Sequence, residues 1–301
     1  MTEPPRHLVL VGPTASGKSA LAHEVALRLG DVELVSADSM QVYRGMDIGT
    51  AKPTPAEQAE VAHHLLDVAH PSEDYSVARF QGAVAEAIAA IEGRGHRALV
   101  VGGTGLYVQA VVDGLALPGE WPDLRAELEG QPAGELHDRL RKVDPLAASR
   151  IEPANGRRLV RALEVTLGSG RPFSSFGPGV GAYPPTPFRL AGVWLPRPVL
   201  ARRIAARYRA QLADGFLDEV QRVRHAMSRT SRQALGYREL LAHLDGACTL
   251  DEAIEAATGR TRQFARRQRS WFRRDPRITW MGGPGNPVDL LPALLGDWSR
   301  S

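Results

Sequence analysis

Residues 12–19 read Gly-Pro-Thr-Ala-Ser-Gly-Lys-Ser, the spacing G-x-x-x-x-G-K-[ST], and their setting constrains the fold of this 301-residue chain more than any other feature. An apolar run, His7–Val11, precedes the loop. A stretch with helical spacing follows it, with Leu21, Val25 and Leu29 on one stripe. Such a loop binds an anion because backbone N–H groups and a helix N-terminus converge on one point. That convergence needs a buried strand on one side and a helix on the other. Lys18 then sets a point charge on the outer phosphate, and the Ser19 hydroxyl reaches Mg2+. Gly12, Pro13, Thr14, Ala15, Ser16, Gly17, Lys18 and Ser19 are the expected phosphate-binding residues, with Ser19 as the magnesium ligand.

The strand–helix alternation continues. Val32–Ser36 reads as a second short strand, 76–93 as an amphipathic helix ending at Gly93, and Arg97–Val101 as a third strand running into Gly102-Gly103. Alternation of this kind predicts an α/β fold: a parallel sheet covered by helices, of the P-loop NTPase type. After about residue 113 the pattern changes. Residues 121–168 are helical in character without a clear strand, and 170–187 are Gly/Pro-rich loop. Arg189–Leu195 reads as another strand, and the segments 199–213, 215–227, 233–244 and 251–274 as helices, with Ile278–Trp280 as a last short strand. The expected organisation is a core of 1–113 and 188–301, with a helical insertion at 114–187. The 177–187 stretch reads as a linker.

The charge is unevenly spread. Residues 1–149 carry 12 basic and 21 acidic side chains, whereas 150–229 carry 14 basic and 5 acidic. Lys18, Lys52 and Lys142 are the only lysines among 37 basic residues. A GC-rich genome accounts for the Arg/Lys ratio but not for a surplus confined to one half. That surplus suits a polyanion, since guanidinium binds phosphate bidentately and stacks on bases. One cysteine, Cys248, allows no internal disulfide. With no signal-peptide pattern and no run of about 18 apolar residues, the expectation is a soluble cytoplasmic protein without membrane contact.

The phosphate loop alone does not show that its ligand is a nucleoside triphosphate. An NTPase usually holds Mg2+ with an acid at the end of a second apolar strand. Here Ala98-Leu99-Val100-Val101 ends in Gly102-Gly103-Thr104, and the well-placed acid is instead Asp38. From this point the chain resembles the bacterial tRNA dimethylallyltransferases. The matching segments are GPTASGKS (12–19), DSMQVYRGMDIGTAKP (38–53), HHLLDV (63–68), VGGTGLYVQA (101–110), GRRLVRALEV (156–165), ALGYRE (234–239) and TRQFARRQRSWFRR (261–274), in the family's order. Two departures stand out. The insertion looks short around Leu128–Glu135, and Glu152-Pro153-Ala154-Asn155 replaces a His-Pro-Asn-Asp-like turn.

The resemblance implies that a tRNA adenine attacks C1 of dimethylallyl diphosphate and that the phosphate loop holds the diphosphate. It implies Asp38 as the general base, where the bland alternative is a helix N-cap. It implies Thr104 as a hydroxyl donor to the bridging oxygen, against a cap of the 104–112 helix. It implies Arg232 as a cation neutralising diphosphate, against a solvated arginine. It further implies tRNA contacts from Asp38, Ser39, Met40, Gln41, Thr104, Arg125, Arg157, Arg158, Leu159, Val160 and Arg161. The expected cofactor is Mg2+, the partners are an anticodon stem-loop and dimethylallyl diphosphate, and the expected state is a monomer.

The segment Gly259–Arg277 interleaves eight arginines with Phe264, Trp271 and Phe272. Arginine with aromatics can grip RNA, yet Phe264, Gln268 and Trp271 share one stripe that could equally be core. His63 and His64, read as neighbours on a helix, point apart and lack a metal-ligand cluster. The rival readings are a P-loop nucleoside or nucleotide kinase, an adenylate isopentenyltransferase acting on free AMP, and a nucleotide-gated RNA-binding regulator. The basic second half and the 38–53 run disfavour the first, and the basic 150–229 stretch disfavours the second. The last gives no reason for Asp38 and Thr104 to face the loop.

Overall fold

The computed structural model describes residues 6–177 and 179–299. Met1–Pro5, Arg300, Ser301 and, within the 177–187 stretch, Pro178 lie outside the described residues. The chain divides into two compact units, Met1–Asp113 with Pro185–Ser301, and Gly114–Pro184.

The first unit begins β1 (His7–Val11), α1 (Lys18–Leu29), β2 (Val32–Ala37), α2 (Pro55–Glu60), β3 (His63–His64), α3 (Val77–Gly93), β4 (Arg97–Gly102) and α4 (Gly105–Val112). The second unit is helical: α5 (Pro122–Leu128), α6 (Ala133–Val143), α7 (Pro145–Arg150) and α8 (Gly156–Ser169). The chain then returns through β5 (Phe188–Trp194), α9 (Arg197–Ala213), α10 (Phe216–Val223), α11 (Tyr237–Leu244), α12 (Leu250–Phe272), β6 (Thr279–Gly282) and α13 (Leu291–Ser299).

The six strands form one parallel sheet in the order β3-β2-β4-β1-β5-β6. Successive side chains of a strand point to opposite faces, and here both faces are buried. In β1, Val9 and Val11 enter a large apolar layer with α3, α4 and α9–α12, while Leu8 and Leu10 enter a smaller one with α1 and α13. That is why the strands read as unbroken apolar runs rather than alternating ones.

The register sets up the site. Ala37 of β2 and Val11 of β1 both pair with Gly102 of β4, so these three strands end level. The residues that follow, Asp38, Gly12 and Gly103, therefore emerge side by side at the carboxyl edge of neighbouring strands, where open α/β sheets bind ligands.

Several boundaries differ from the sequence expectation. His63 and His64 lie on a short edge strand, not a helix, because they continue the ladder of β2. His64 pairs with Glu33 at 2.7 Å and His63 Nδ1 lies 2.7 Å from the Val61 carbonyl. The expected 215–227 and 233–244 helices are shorter. Ser228 N and Ser231 Oγ both donate to the Pro71 carbonyl at 2.8 Å, which ties the connection to the loop between β3 and α3. The terminal helix α13 was not anticipated. It is anchored by Leu294 and Trp298 in the smaller core and by a bidentate Arg189–Asp297 pair at 2.6 and 3.0 Å.

The helical unit has its own core of Leu128, Leu136, Leu140, Leu159 and Leu163. Two buried carboxylates organise it. Asp144 caps α7 through Ala147 N at 3.0 Å and takes Ser174 N and Oγ at 2.8 Å. Glu164, with a fully buried side chain, accepts from Trp121 N at 2.8 Å, Arg125 at 2.9 and 3.0 Å and Arg161 at 3.1 Å. Burial alone would raise the Glu164 pKa. The Trp121 N–H and the two guanidiniums outweigh it and hold the carboxyl below its usual range. Glu164→Ala strands two partly exposed arginines, and the unit should lose about 2–3 kcal/mol. Denaturation of the full chain, followed by hydrogen exchange within 114–184, checks this; unchanged protection there refutes the role.

Candidate active site

The three strand ends open into a cleft of about 270 Å³ whose lining includes Thr14, Lys18, Asp38, Ser39, Met40, Thr104 and Arg207. The phosphate loop forms its floor. Ala15 holds a φ of 61°, a left-handed conformation unusual outside glycine. The N–H groups of Gly17, Lys18 and Ser19, at the start of α1, find no acceptor among the described residues, as the first turn of a helix requires. They remain available to an anion. Thr14 does not follow the simple picture, because its N–H is taken by Gln268 Oε1 at 2.8 Å and its hydroxyl accepts from Arg207 Nη1 at 2.9 Å.

Gln268 also donates to the Gly103 carbonyl at 2.8 Å, so one α12 side chain ties the β1 loop to the β4 loop. A Cβ on Gly103 would lie 2.2 Å from Gln268 Nε2, and this close approach explains why glycine stands there. The stripe Phe264–Gln268–Trp271 is thus neither simply core nor simply a nucleic-acid face. Gln268 is buried and clamps the loops. Phe264 is half-buried at the cleft wall, and Trp271 is half-buried under Arg274, 4.8 Å from its ring centre.

Asp38 stands at the cleft mouth with Oδ1 accepting from Met40 N at 2.8 Å. No helix follows it, so it is not an N-cap. Its second oxygen makes no hydrogen bond among the described residues. Thr104 precedes α4 but makes no side-chain cap. Its hydroxyl instead accepts from Ser39 N at 3.2 Å and approaches Ser39 Oγ at 3.4 Å. Asp38, Ser39 and Thr104 therefore meet across the β2 and β4 ends, although 65 residues separate the last two.

Lys18 and Arg207 face Asp38. Burial pushes the Lys18 amine down to about 8, with the Asp38 charge opposing that shift and Arg207 adding to it. Burial also lowers the Arg207 guanidinium, against the charges of Tyr208 and Asp38. Arg207 Nε is buried without a partner among the described residues. Two cations packed together with one carboxylate leave an excess of positive charge, which a diphosphate would relieve. Arg207 was not anticipated: on sequence it is one of four arginines in 202–209, and only the packing of α9 selects it.

The structure does not bring Arg232 to this cleft. It is exposed and donates to the Arg224 carbonyl at 2.7 Å and the Met227 carbonyl at 3.4 Å. Gln41 is turned inward: its Oε1 accepts from Ser36 Oγ at 2.8 Å and its Nε2 donates to the Thr50 and Ala51 carbonyls. Pro13 and Ser16 are buried in the loop, the Ser16 hydroxyl without a partner among the described residues. In the helical unit, Leu159 and Val160 are core residues, and Arg125 and Arg161 are committed to Glu164, Arg161 also to the Pro118 and Gly119 carbonyls. Arg157 and Arg158 are exposed, and their guanidiniums make no hydrogen bond among the described residues. Along α12 and just past its end, Gln263, Arg266, Arg267, Ser270, Trp271 and Arg274 line a second groove, of about 550 Å³.

No group of three or more His, Cys, Asp or Glu among the described residues could hold a metal ion. Among the described residues, Ser19 is exposed with a hydroxyl that makes no hydrogen bond, and Asp38 is the one carboxylate that lines the cleft. This donor set suits a magnesium ion held mainly by a bound diphosphate, since such ions need only one or two protein oxygens. It does not suit an all-protein site.

A family model described as IPP transferase matches residues 41–275, and one described as Isopentenyl transferase matches residues 6–71. The tRNA dimethylallyltransferase of Geobacter metallireducens is 46% identical, over 98% of this chain and 98% of its own. That of Streptomyces coelicolor is 49% identical, over 96% and 94%. The crystal structure of a tRNA isopentenylpyrophosphate transferase from Bacillus halodurans is 38% identical, covers 98% of this chain and 97% of its own, and superposes with a TM-score of 0.71. A eukaryotic dimethylallyltransferase acting on tRNA, 25% identical over 98% of this chain and 79% of its own, superposes with a TM-score of 0.81.

Proposed function

The chain belongs to the IPP transferase family, and on that premise we propose that it transfers the dimethylallyl group of dimethylallyl diphosphate to tRNA. The acceptor is the exocyclic N6 of the adenine immediately 3′ of the anticodon, and the products are N6-isopentenyladenosine and diphosphate. The observation that carries this reading is the meeting of Asp38, Thr104 and the phosphate loop at one cleft mouth.

The chemistry needs a base, an acceptor of negative charge and exclusion of water. N6 attacks C1 of the donor, the C1–O bond breaks, and the N6 proton passes to the free oxygen of Asp38. Lys18, Arg207 and the free N–H groups of the loop take up the charge that develops on the leaving diphosphate. Thr104, positioned by Ser39, donates its hydroxyl to the bridging oxygen. Ser19 would hold a magnesium ion bound together with the diphosphate, and such an ion would neutralise part of that charge. The adenine must leave its stack, which costs a few kcal/mol and least in a loop.

Arg157 and Arg158 on α8, and the arginines of the α12 groove, supply cations for the RNA backbone. Replacing Arg157 and Arg158 together by alanine should weaken tRNA binding and lower the slope of log affinity against log salt by about 1–2. Titrations at several salt concentrations measure it, and an unaltered slope removes that helix from the interface. The protein is read as a cytoplasmic monomer. No helix among the described residues is long and apolar enough to cross a membrane.

The test is a transfer assay with labelled dimethylallyl diphosphate, Mg2+ and an anticodon stem-loop, with AMP and ATP in parallel. Label on the stem-loop alone is the expected result. Label on AMP moves the assignment to free-nucleotide chemistry. Phosphate transfer from ATP without prenyl transfer overturns the reading in favour of a kinase.

A further inference from the structure

We propose that Glu219, on α10 and outside every motif described above, is a positioning residue for prenyl transfer, holding the Asp47–Gly49 turn so that it forms one wall of the cleft. The inference rests on the prenyl-transfer reading of that cleft. Glu219 is 1% exposed and pairs with no cation among the described residues. Its carboxylate is filled by four donors: Asp47 N and Ile48 N at 2.8 Å, Gly49 N at 3.0 Å and the Tyr237 hydroxyl at 2.5 Å. Three consecutive backbone N–H groups aimed at one carboxylate are an anion nest, here occupied from within the protein. Burial and the neighbouring Glu219 charge push the Tyr237 phenol far up, which keeps it a donor.

The turn is gripped from its other side as well. Gln211 Nε2 donates to the Ile48 carbonyl at 2.5 Å, and a Cβ on Gly49 would lie 2.1 to 2.4 Å from the rings of Phe216 and Tyr237. The consequence reaches the reacting groups in two steps. Gly49 and Thr50 line the cleft directly. The Thr50 and Ala51 carbonyls hold the Gln41 amide at 3.2 and 3.1 Å, and Gln41 lies three residues from Asp38. A carboxylate can satisfy four donors, whereas a glutamine amide keeps one oxygen and turns an N–H2 group toward them. Glu219→Gln therefore releases part of the turn without removing the packed side chain.

Displacement of a reacting group by about 1 Å can cost about a hundredfold in rate. E219Q in the full chain is expected to lower kcat/KM for the prenyl donor by about tenfold or more, while tRNA affinity stays within about twofold. Tyr237→Phe, which keeps the ring and removes one donor, should lower the same parameter by less. The double variant should lose less than the product of the two single effects, because both act through one carboxylate. Asp297→Asn serves as the stability control. It weakens the Arg189 pair that anchors α13, and it should lower the melting temperature while leaving kcat/KM within about twofold. E219Q that folds with wild-type kcat and KM overturns the inference. If E219Q does not fold, Y237F carries the test, and wild-type kinetics there overturn it. Wild-type protein that prenylates no acceptor overturns the underlying reading instead.

Discussion

Asp38→Ala should lower the single-turnover rate of prenyl transfer by about 10²–10⁴-fold, the range of a lost general base. The carboxylate has the geometry for that role. One oxygen is anchored by Met40 N, which fixes the group, and the other is free at the cleft mouth. It sits level with the phosphate loop because β2, β4 and β1 end in register. Binding of a stem-loop, measured separately by titration, should survive within about threefold, because a single rim contact contributes little to a nucleic-acid interface dominated by phosphates. Loss of binding at an unchanged rate of bound substrate would assign Asp38 to recognition and leave the base elsewhere.

The second large effect falls on the cations. Lys18→Ala and Arg207→Ala should each weaken donor binding by about ten- to a hundredfold, the range of a charge-assisted hydrogen bond of about 1.5–3 kcal/mol. Arg232→Ala should leave donor binding within about twofold, since its guanidinium is exposed and bonded to backbone carbonyls of its own connection. Equal losses in the Arg232 and Arg207 variants would refute this division. The same site predicts a pH dependence. Burial lowers the Lys18 amine to about 8, so in the free protein it is protonated below that pH and neutral above it. A bound diphosphate favours the protonated form, so binding takes up a proton at alkaline pH and donor affinity falls as pH rises through about 8. A donor affinity flat from pH 7 to pH 9.5 in wild type would show that the amine does not carry the charge.

Much of this site was legible in order along the chain. The phosphate loop announces itself through its spacing between a strand and a helix, and Asp38 and Thr104 through their places just after apolar strands. The alternative cap roles of both were excluded by geometry that spacing cannot supply: no helix follows Asp38, and the Thr104 hydroxyl turns to Ser39. Arg232 and Arg207 show the opposite limit. Both belong to arginine-rich stretches, Arg207 on α9 and Arg232 in the connection after α10, and nothing local distinguishes an arginine that bonds carbonyls of its own connection from one packed over the loop. Arg125 and Arg161 read equally well as RNA contacts, yet both are tied to the buried Glu164.

The amino-acid sequence by itself determined the strand–loop–helix that cradles phosphate, the parallel α/β architecture and the helical interruption after residue 113. These are local consequences of periodicity, glycine placement and apolar runs, so they are readable within a window of a few residues. Only the tertiary structure decided which cation faces Asp38, that Gln268 holds two loops together, and that Glu219 fills a nest some 170 residues away in the chain. Each of those is a contact between distant segments. It is set by sheet register and by which face a helix buries, so the identity of the residue alone does not reveal its partner.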